Sequence, residues 1–309
     1  MKVLLIAIFA VLIILPATVF ADSVSYSPLR DNQTPNGPYP TVSEITEDMQ
    51  KMVKENISKI RIYDTGQNLE SILGEAEKNK IGVAIGIDLT GNYEEDKKKI
   101  QEIIHKSSNY KNVDSFIIGN NPLFNNQTTL EKLVNHIKYA KTLTDIPITS
   151  INGFDFWENH YYDPLYDAVD FIMVDLFVHN SSTPEKQIQL LKEKYNTIQK
   201  DHKKPIVVES GWSTVNSSKY AQQSFRSELL KTGINVYFFE WADEGWKHDP
   251  IEAGYGIYKA DRTVKQDTPE NTVDSTFWGQ LTSVIKAIIN TINSIFHSIM
   301  KILHIGNLQ

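Results

Sequence analysis

Residues 100–118 read IQEIIHKSSNYKNVDSFII, and the apolar period changes within them. Ile100, Ile103 and Ile104 recur at helical spacing, whereas Asp114–Ile118 ends in an unbroken apolar run of strand type. After Gly119-Asn120-Asn121-Pro122, the helical period resumes at Leu130, Leu133, Val134 and Ile137. Helix, strand and helix in that order are one step of an alternating chain, and the step repeats. Runs of strand type fall at Val24–Ser27, Lys59–Tyr63, Gly82–Ile87, Asp114–Ile118, Pro147–Ile151, Phe171–Phe177, Pro205–Val208 and Val236–Trp241, with amphipathic stretches between them. Such alternation predicts a parallel sheet, and eight units over 24–258 suit a (β/α)8 TIM barrel, which takes about 250 residues. A doubly wound sheet is the alternative built from the same elements.

The chain has 309 residues, a net charge of −7 and no cysteine. Acidic and basic residues are interspersed, so no basic face marks a nucleic-acid partner. Met1–Ala21 has Lys2, an apolar run over Val3–Pro16 and Val19-Phe20-Ala21 at its end, the pattern of a signal peptide, with an uncleaved anchor as the alternative. Either reading places the body outside the cytoplasm, where a chain without disulfides is held together by its core. The domain reading is 1–21 signal peptide, 22–258 barrel, 259–275 polar linker and 276–309 amphipathic helix. In that last segment Trp278, Leu281, Ile285, Ile288, Ile292, Ile295, Ile299 and Ile302 share one face. Its stripe over 276–305 suits the barrel exterior, a membrane surface or a partner helix.

A barrel gathers its chemistry where strands end, because each strand delivers its last residues to one mouth. The strand-end candidates for binding are Tyr26, Tyr63, Asn120, Phe177, Trp212, Glu240, Trp241 and Trp246. The eight histidines are scattered without a metal-ligand spacing, so neither a metal nor another cofactor is expected. PIVVESGW (205–212) ends an apolar strand in Glu209, three residues before Trp212. A carboxylate beside an indole suits a sugar site, the ring covering a pyranose face while the carboxylate meets the anomeric carbon. A rim glutamate held by a cation is the structural alternative.

Several separated motifs carry a resemblance: YSPLRDNQTPN (26–36), IRIYD (60–64), IIGNN (117–121), VDFIMVDLFVHN (169–180), VVESGW (207–212), YFFEWADEGWK (237–247) and YGIYKADRTVK (255–265). Together they resemble glycoside hydrolase family 17, the endo-1,3-β-glucanases and glucanosyltransferases, particularly its bacterial-type members. The resemblance implies a retaining mechanism on a (β/α)8 barrel, β-glucan as substrate, Glu209 as nucleophile and an acid/base glutamate after the fourth strand. That glutamate follows Gly-Asn in the family, and here Asn121 follows Gly119 and Asn120. An amide moves no proton in this chemistry, so the position of the acid/base is occupied by a group that cannot serve. Asp155, Asp175, His179, Glu240, Asp243 and Glu244 are the nearby groups that could substitute. Two functions therefore stand close together, a glucan-active enzyme impaired by the missing acid and an inactive glycosidase-like protein that binds polysaccharide at the cell surface, with a purely structural surface scaffold assembled through the helix as a third.

Overall fold

The computed structural model describes residues 22–63, 66–177 and 183–266. The leader at 1–21, the helix at 276–309, part of the linker and His179 lie outside the described residues.

Eight parallel strands pair in chain order: β1 (Asp22–Tyr26), β2 (Ile57–Ile62), β3 (Gly82–Ile87), β4 (Val113–Asn120), β5 (Ile148–Gly153), β6 (Ile172–Asp175), β7 (Ile206–Gly211) and β8 (Val236–Phe239). Val24 of β1 meets Phe238 of β8, so the ring closes and no sheet edge remains. This is the (β/α)8 barrel, and closure rules out the doubly wound alternative. Outside the strands run α1 (Val42–Lys54), α2 (Leu69–Lys78), α3 (Tyr93–Ser107), α4 (Leu130–Lys141), α5 (Phe154–Glu158), α6 (Asp163–Ala168), α7 (Pro184–Asp201), α8 (Lys219–Lys231) and α9 (Pro250–Ala253).

Local chemistry accounts for several helix starts. Thr41 accepts from the Glu44 amide at 3.3 Å while the Glu44 carboxylate accepts from the Thr41 amide at 2.7 Å, a reciprocal cap that begins α1. Asn92 caps α3 just ahead of Glu94, Glu95 and Asp96, whose charges complement the helix dipole.

The period-two alternation of each strand separates two apolar layers. Ile60, Ile85, Ile118, Val174, Val208 and Phe238 belong to the core between strands and helices. Ala84, Ile117, Ile151, Met173, Val207 and Tyr237 form a second cluster, the packing inside the ring. Two residues farther along β6 and β7, the inward positions become Asp175 and Glu209. The polar site therefore stands directly on the apolar plug.

The linker boundary at 259 requires correction. Tyr258 bridges to Val264, and Arg262 and Lys265 are buried. Arg262 donates to Asp48 at 3.0 Å, and Lys265 pairs with Asp243 at 2.7 Å. The charged composition that resembled a solvated linker instead supplies ion-pair partners to the barrel, so the packed chain continues at least to Lys265.

Asp48 is 2% exposed and also accepts from Tyr26 Oη and Arg30 Nη2, each at 2.9 Å. Asp48→Ala leaves the buried Arg262 guanidinium without its carboxylate, so an expected loss of about 3–5 kcal/mol follows. Urea denaturation of the full chain measures it, and an unchanged midpoint would show that the ion pair adds nothing.

Candidate active site

Glu209 is 3% exposed and is held by three donors from two other strand ends. Arg61, inward on β2, reaches Oε1 at 2.9 Å and Oε2 at 3.1 Å. Tyr63 Oη donates to Oε1 at 3.0 Å, and Ser25 Oγ on β1 donates to the same oxygen. Oε1 thus carries three donors while Oε2 has only the longer Arg61 contact, which leaves Oε2 the freer oxygen for a reacting atom. Arg61 also donates through Nη2 to Asn120 Oδ1 at 3.1 Å, and its guanidinium lies 3.8 Å from the Tyr63 ring centroid. A buried charge pair with several shared donors fixes the carboxylate in one orientation.

The end of β4 is irregular. Its register with β5 shifts between Ile117 and Asn120, which turns Asn120 inward to Arg61 where strict alternation would aim it with Ile118. Gly119 makes the turn at φ +79°, and a Cβ there would meet Pro122 at 2.6 Å. Asn121 follows at φ +50°, a left-handed conformation that asparagine tolerates, and its amide donates to Ile151 O at 2.9 Å. The Asn121 side-chain Nδ2 then donates to Asp175 Oδ2.

Asp175 pairs in register with Glu209 across β6 and β7. Burial, followed by the charge of Glu209, pushes the Asp175 carboxyl up to about 6, against the hydrogen bond from Asn121 and the attraction of Arg61. The folded chain therefore holds a proton that an exposed aspartate releases near pH 4, and ionising Asp175 costs stability as the pH rises through that interval.

These groups face a cavity of about 870 Å³. Of the predicted positions, Tyr26, Tyr63, Asn120, Asn121, Phe177, Glu209 and Trp246 line it. Tyr26 is 0% exposed and its hydroxyl is committed to Asp48, so it acts as wall more than platform. Three predicted binding residues lie elsewhere. Trp241 is 0% exposed, edge-on to Tyr26, with Nε1 3.3 Å from Glu55 Oε2. Trp212 packs on Phe225 and donates through Nε1 to Ser217 Oγ at 2.8 Å. Glu240 is 0% exposed and outside the cavity wall, and burial and then Glu244 push its carboxyl well above the ordinary range. Each stands just past a strand end, where Trp212 and Trp241 turn to the apolar core and Glu240 is buried behind the wall, an outcome that alternation alone does not reveal beyond the last paired residue.

The cavity also includes groups that the sequence reading missed. Phe124 is 72% exposed at the rim and Tyr39 38%, both offering ring faces to solvent. Lys247 pairs with Glu244 at 2.5 Å in the wall. Phe124 ends the run FIIGNNPLF, and its exposed aromatic ring beside the doubled amide was a legible signal. Among the described residues no group of three or more His, Asp or Glu side chains is placed to hold a metal ion.

A fixed, buried carboxylate facing an aromatic-rimmed cavity, with a second carboxyl on the next strand, suits attack at a sugar carbon assisted by proton transfer. The comparisons agree with that chemistry. A family model described as the BtgE/BtgC glycoside hydrolase domain matches residues 23–258. A glucan 1,3-beta-glucosidase of Candida albicans is 23% identical over 239 residues, covering 65% of this chain and 77% of that relative. A glucan 1,3-beta-glucosidase of Schizosaccharomyces pombe is 24% identical over 187 residues, 50% of this chain and 56% of the relative. Among solved structures, an active-site mutant of Rhizomucor miehei beta-1,3-glucanosyltransferase in complex with laminaritriose has a TM-score of 0.68 at 18% identity, covering 82% of this chain and 97% of that one. A β-glucuronidase of Ruminococcus gnavus has a TM-score of 0.63 at 14% identity, covering 79% of this chain and 47% of that one, so the same barrel serves other sugars.

Proposed function

The chain belongs to the BtgE/BtgC glycoside hydrolase domain family, and from that premise we propose that it acts on β-1,3-glucan by retaining chemistry, as hydrolase or transglycosylase, with Glu209 as nucleophile. The observation that carries this reading is the cradle of Ser25, Arg61 and Tyr63 around Glu209, which aims a carboxylate into the cavity. The substrate class is supported by the names of the relatives, two glucan 1,3-beta-glucosidases and a beta-1,3-glucanosyltransferase crystallised with laminaritriose. Phe124, Tyr39 and Trp246 supply ring faces for the sugar, and Asn120, oriented by Arg61, supplies a polar contact near the reacting carbon.

With Asn121 at the acid/base position, turnover of ordinary glucan is reduced relative to a barrel that carries a carboxylic acid there. General acid/base catalysis contributes typically about 10²–10⁴-fold, so its displacement slows the reaction without removing the sugar site. The same substitution favours a second reading, a protein that holds polysaccharide without turnover. The apolar start of the chain supports a location outside the cytoplasm, and the apolar stripe over 276–305 supports attachment to a membrane surface or partner helix.

Covalent trapping separates the enzyme from the binder. An activated 2-fluoroglucosyl donor, whose leaving group departs without a proton, is expected to label Glu209 in the full chain. Peptide mass spectrometry locates the label. Labelling at Asp175 would reassign the nucleophile, and binding of β-1,3-glucan without labelling or products would select the binding protein.

A further inference from the structure

The acid/base position and its substitute are joined by one hydrogen bond. Asn121 Nδ2, at the end of β4, donates to Asp175 Oδ2, at the end of β6. Asp175 is also the register partner of Glu209 on β7, and both line the cavity. The Asn121 amide thus binds one carboxyl oxygen of Asp175 and leaves the other, Oδ1, free of that contact. Adjacent strands run about 4.8 Å apart, so side chains in register on the same face reach comparable depth in the mouth.

We propose that Asp175 carries the proton transfer that Asn121 cannot, with Asn121 acting as the positioning residue that holds it. The proposal rests on the retaining reading above. In the first step a Glu209 oxygen attacks the anomeric carbon, forming an ester bond while the bond to the leaving oxygen breaks. Asp175 gives its proton to that oxygen and becomes a carboxylate. In the second step a water molecule, or the hydroxyl of an acceptor glucan, attacks the same carbon as the ester bond breaks. Asp175 takes the proton from the attacking oxygen, and Glu209 returns as a carboxylate. Atoms and charge balance, and each carboxyl ends as it began.

The surroundings of Asp175 suit both halves of that cycle. Glu209 from β7 and burial favour the acid, while Arg61 from β2 and the Asn121 amide favour the carboxylate. Glu252 of α9 and Tyr255 are the other titratable groups that face it. The balance leaves the carboxyl at about 6, between a fixed acid and a fixed base. Paired carboxyls whose environments drive them apart mark the acid and the nucleophile of such a site. Among the other substitutes that the sequence offers, Glu240 is 0% exposed and does not line the cavity, while Asp243 and Glu244 are committed to Lys265 and Lys247.

The test compares the full-length wild type with Asp175→Asn on two donors, a β-1,3-gluco-oligosaccharide and a dinitrophenyl β-glucoside. Asp175→Asn is expected to lower kcat/KM on the oligosaccharide by about 10²-fold while changing the first step on the activated donor less than tenfold. Added azide is expected to accelerate the variant on the activated donor and to yield the β-glycosyl azide, because it replaces a base with a nucleophile that needs none. Wild-type kcat/KM on the oligosaccharide is expected to fall above about pH 6, a limb that Asp175→Asn lacks. Equal losses on both donors without azide rescue, an unchanged oligosaccharide rate, or a wild-type profile level through pH 8 would each overturn the proposal. The wild-type profile needs no variant, so a misfolded Asp175→Asn leaves the test intact. Labelling of wild-type Glu209 by the fluorinated donor keeps the two readings apart: if labelling succeeds while Asp175→Asn is without effect, only the role of Asp175 fails.

Discussion

Glu209→Gln is expected to lower turnover of β-1,3-glucan and of activated donors alike by at least about 10⁴-fold, since deleting a covalent nucleophile removes the route itself. The loss corresponds to about 5 kcal/mol or more of barrier. Glutamine keeps the shape and one acceptor oxygen, so Ser25, Tyr63 and Arg61 retain partners, but the buried Arg61 loses its counter-charge. Some stability should go with it, because Arg61 is 1% exposed and an unpaired buried cation is costly. Thermal melting therefore accompanies the rate measurement, to separate a silent site from an unfolded one. Binding of β-1,3-glucan, read by isothermal titration, should survive. A folded Glu209→Gln that turns over glucan at the wild-type rate would remove this residue from the mechanism.

Asn121→Glu is expected to act in the opposite direction, raising turnover of ordinary glucan by up to about 10²-fold, what is left of the typical 10²–10⁴-fold acid/base contribution after the share that Asp175 supplies, with less effect on activated donors. In the proposed mechanism Asp175 acts from beside the family position, and a glutamate at 121 would place a carboxylic acid where the fourth strand directs it. The neighbourhood favours its protonated form: Asp175 lies within hydrogen-bond reach of residue 121, and a second carboxylate there raises the new group. The left-handed backbone works against the change, because Asn121 sits at φ +50°, which asparagine tolerates better than glutamate does. Initial rates on the two donor types decide the matter. Efficient wild-type cleavage of ordinary glucan that Asn121→Glu leaves unchanged or impairs would show that nothing is missing at this strand end.

The barrel was legible because it rests on period. Strands with continuous apolar runs and helices with spacings of three and four are local patterns, and eight repeats within one domain length leave few ways to bury both. Glu209 and Asn121 were legible as positions, since both end strand runs whose final residues a barrel must gather. The errors have two causes. Trp212, Glu240 and Trp241 follow strands, and past the last paired residue nothing local states which way a side chain turns. Arg262 and Lys265 looked solvated because charge in a short polar stretch resembles a linker until Asp48 and Asp243 are seen opposite.

By itself the sequence determined the order of the elements, the strand ends that form the mouth and the doubled amide, Asn120 and Asn121, at the end of the fourth strand. Tertiary structure alone decided that Arg61, four-fifths of the way along β2, lies against Glu209 of β7, and that Asn121 grasps Asp175. The physical reason is ring closure: it joins residues 148 positions apart in one pair and 54 in the other, and the bulge in β4 re-aims the chain between Ile117 and Asn120. Neither the closure nor the bulge has a local signature, yet together they set which carboxyl faces which, and so where a proton can go.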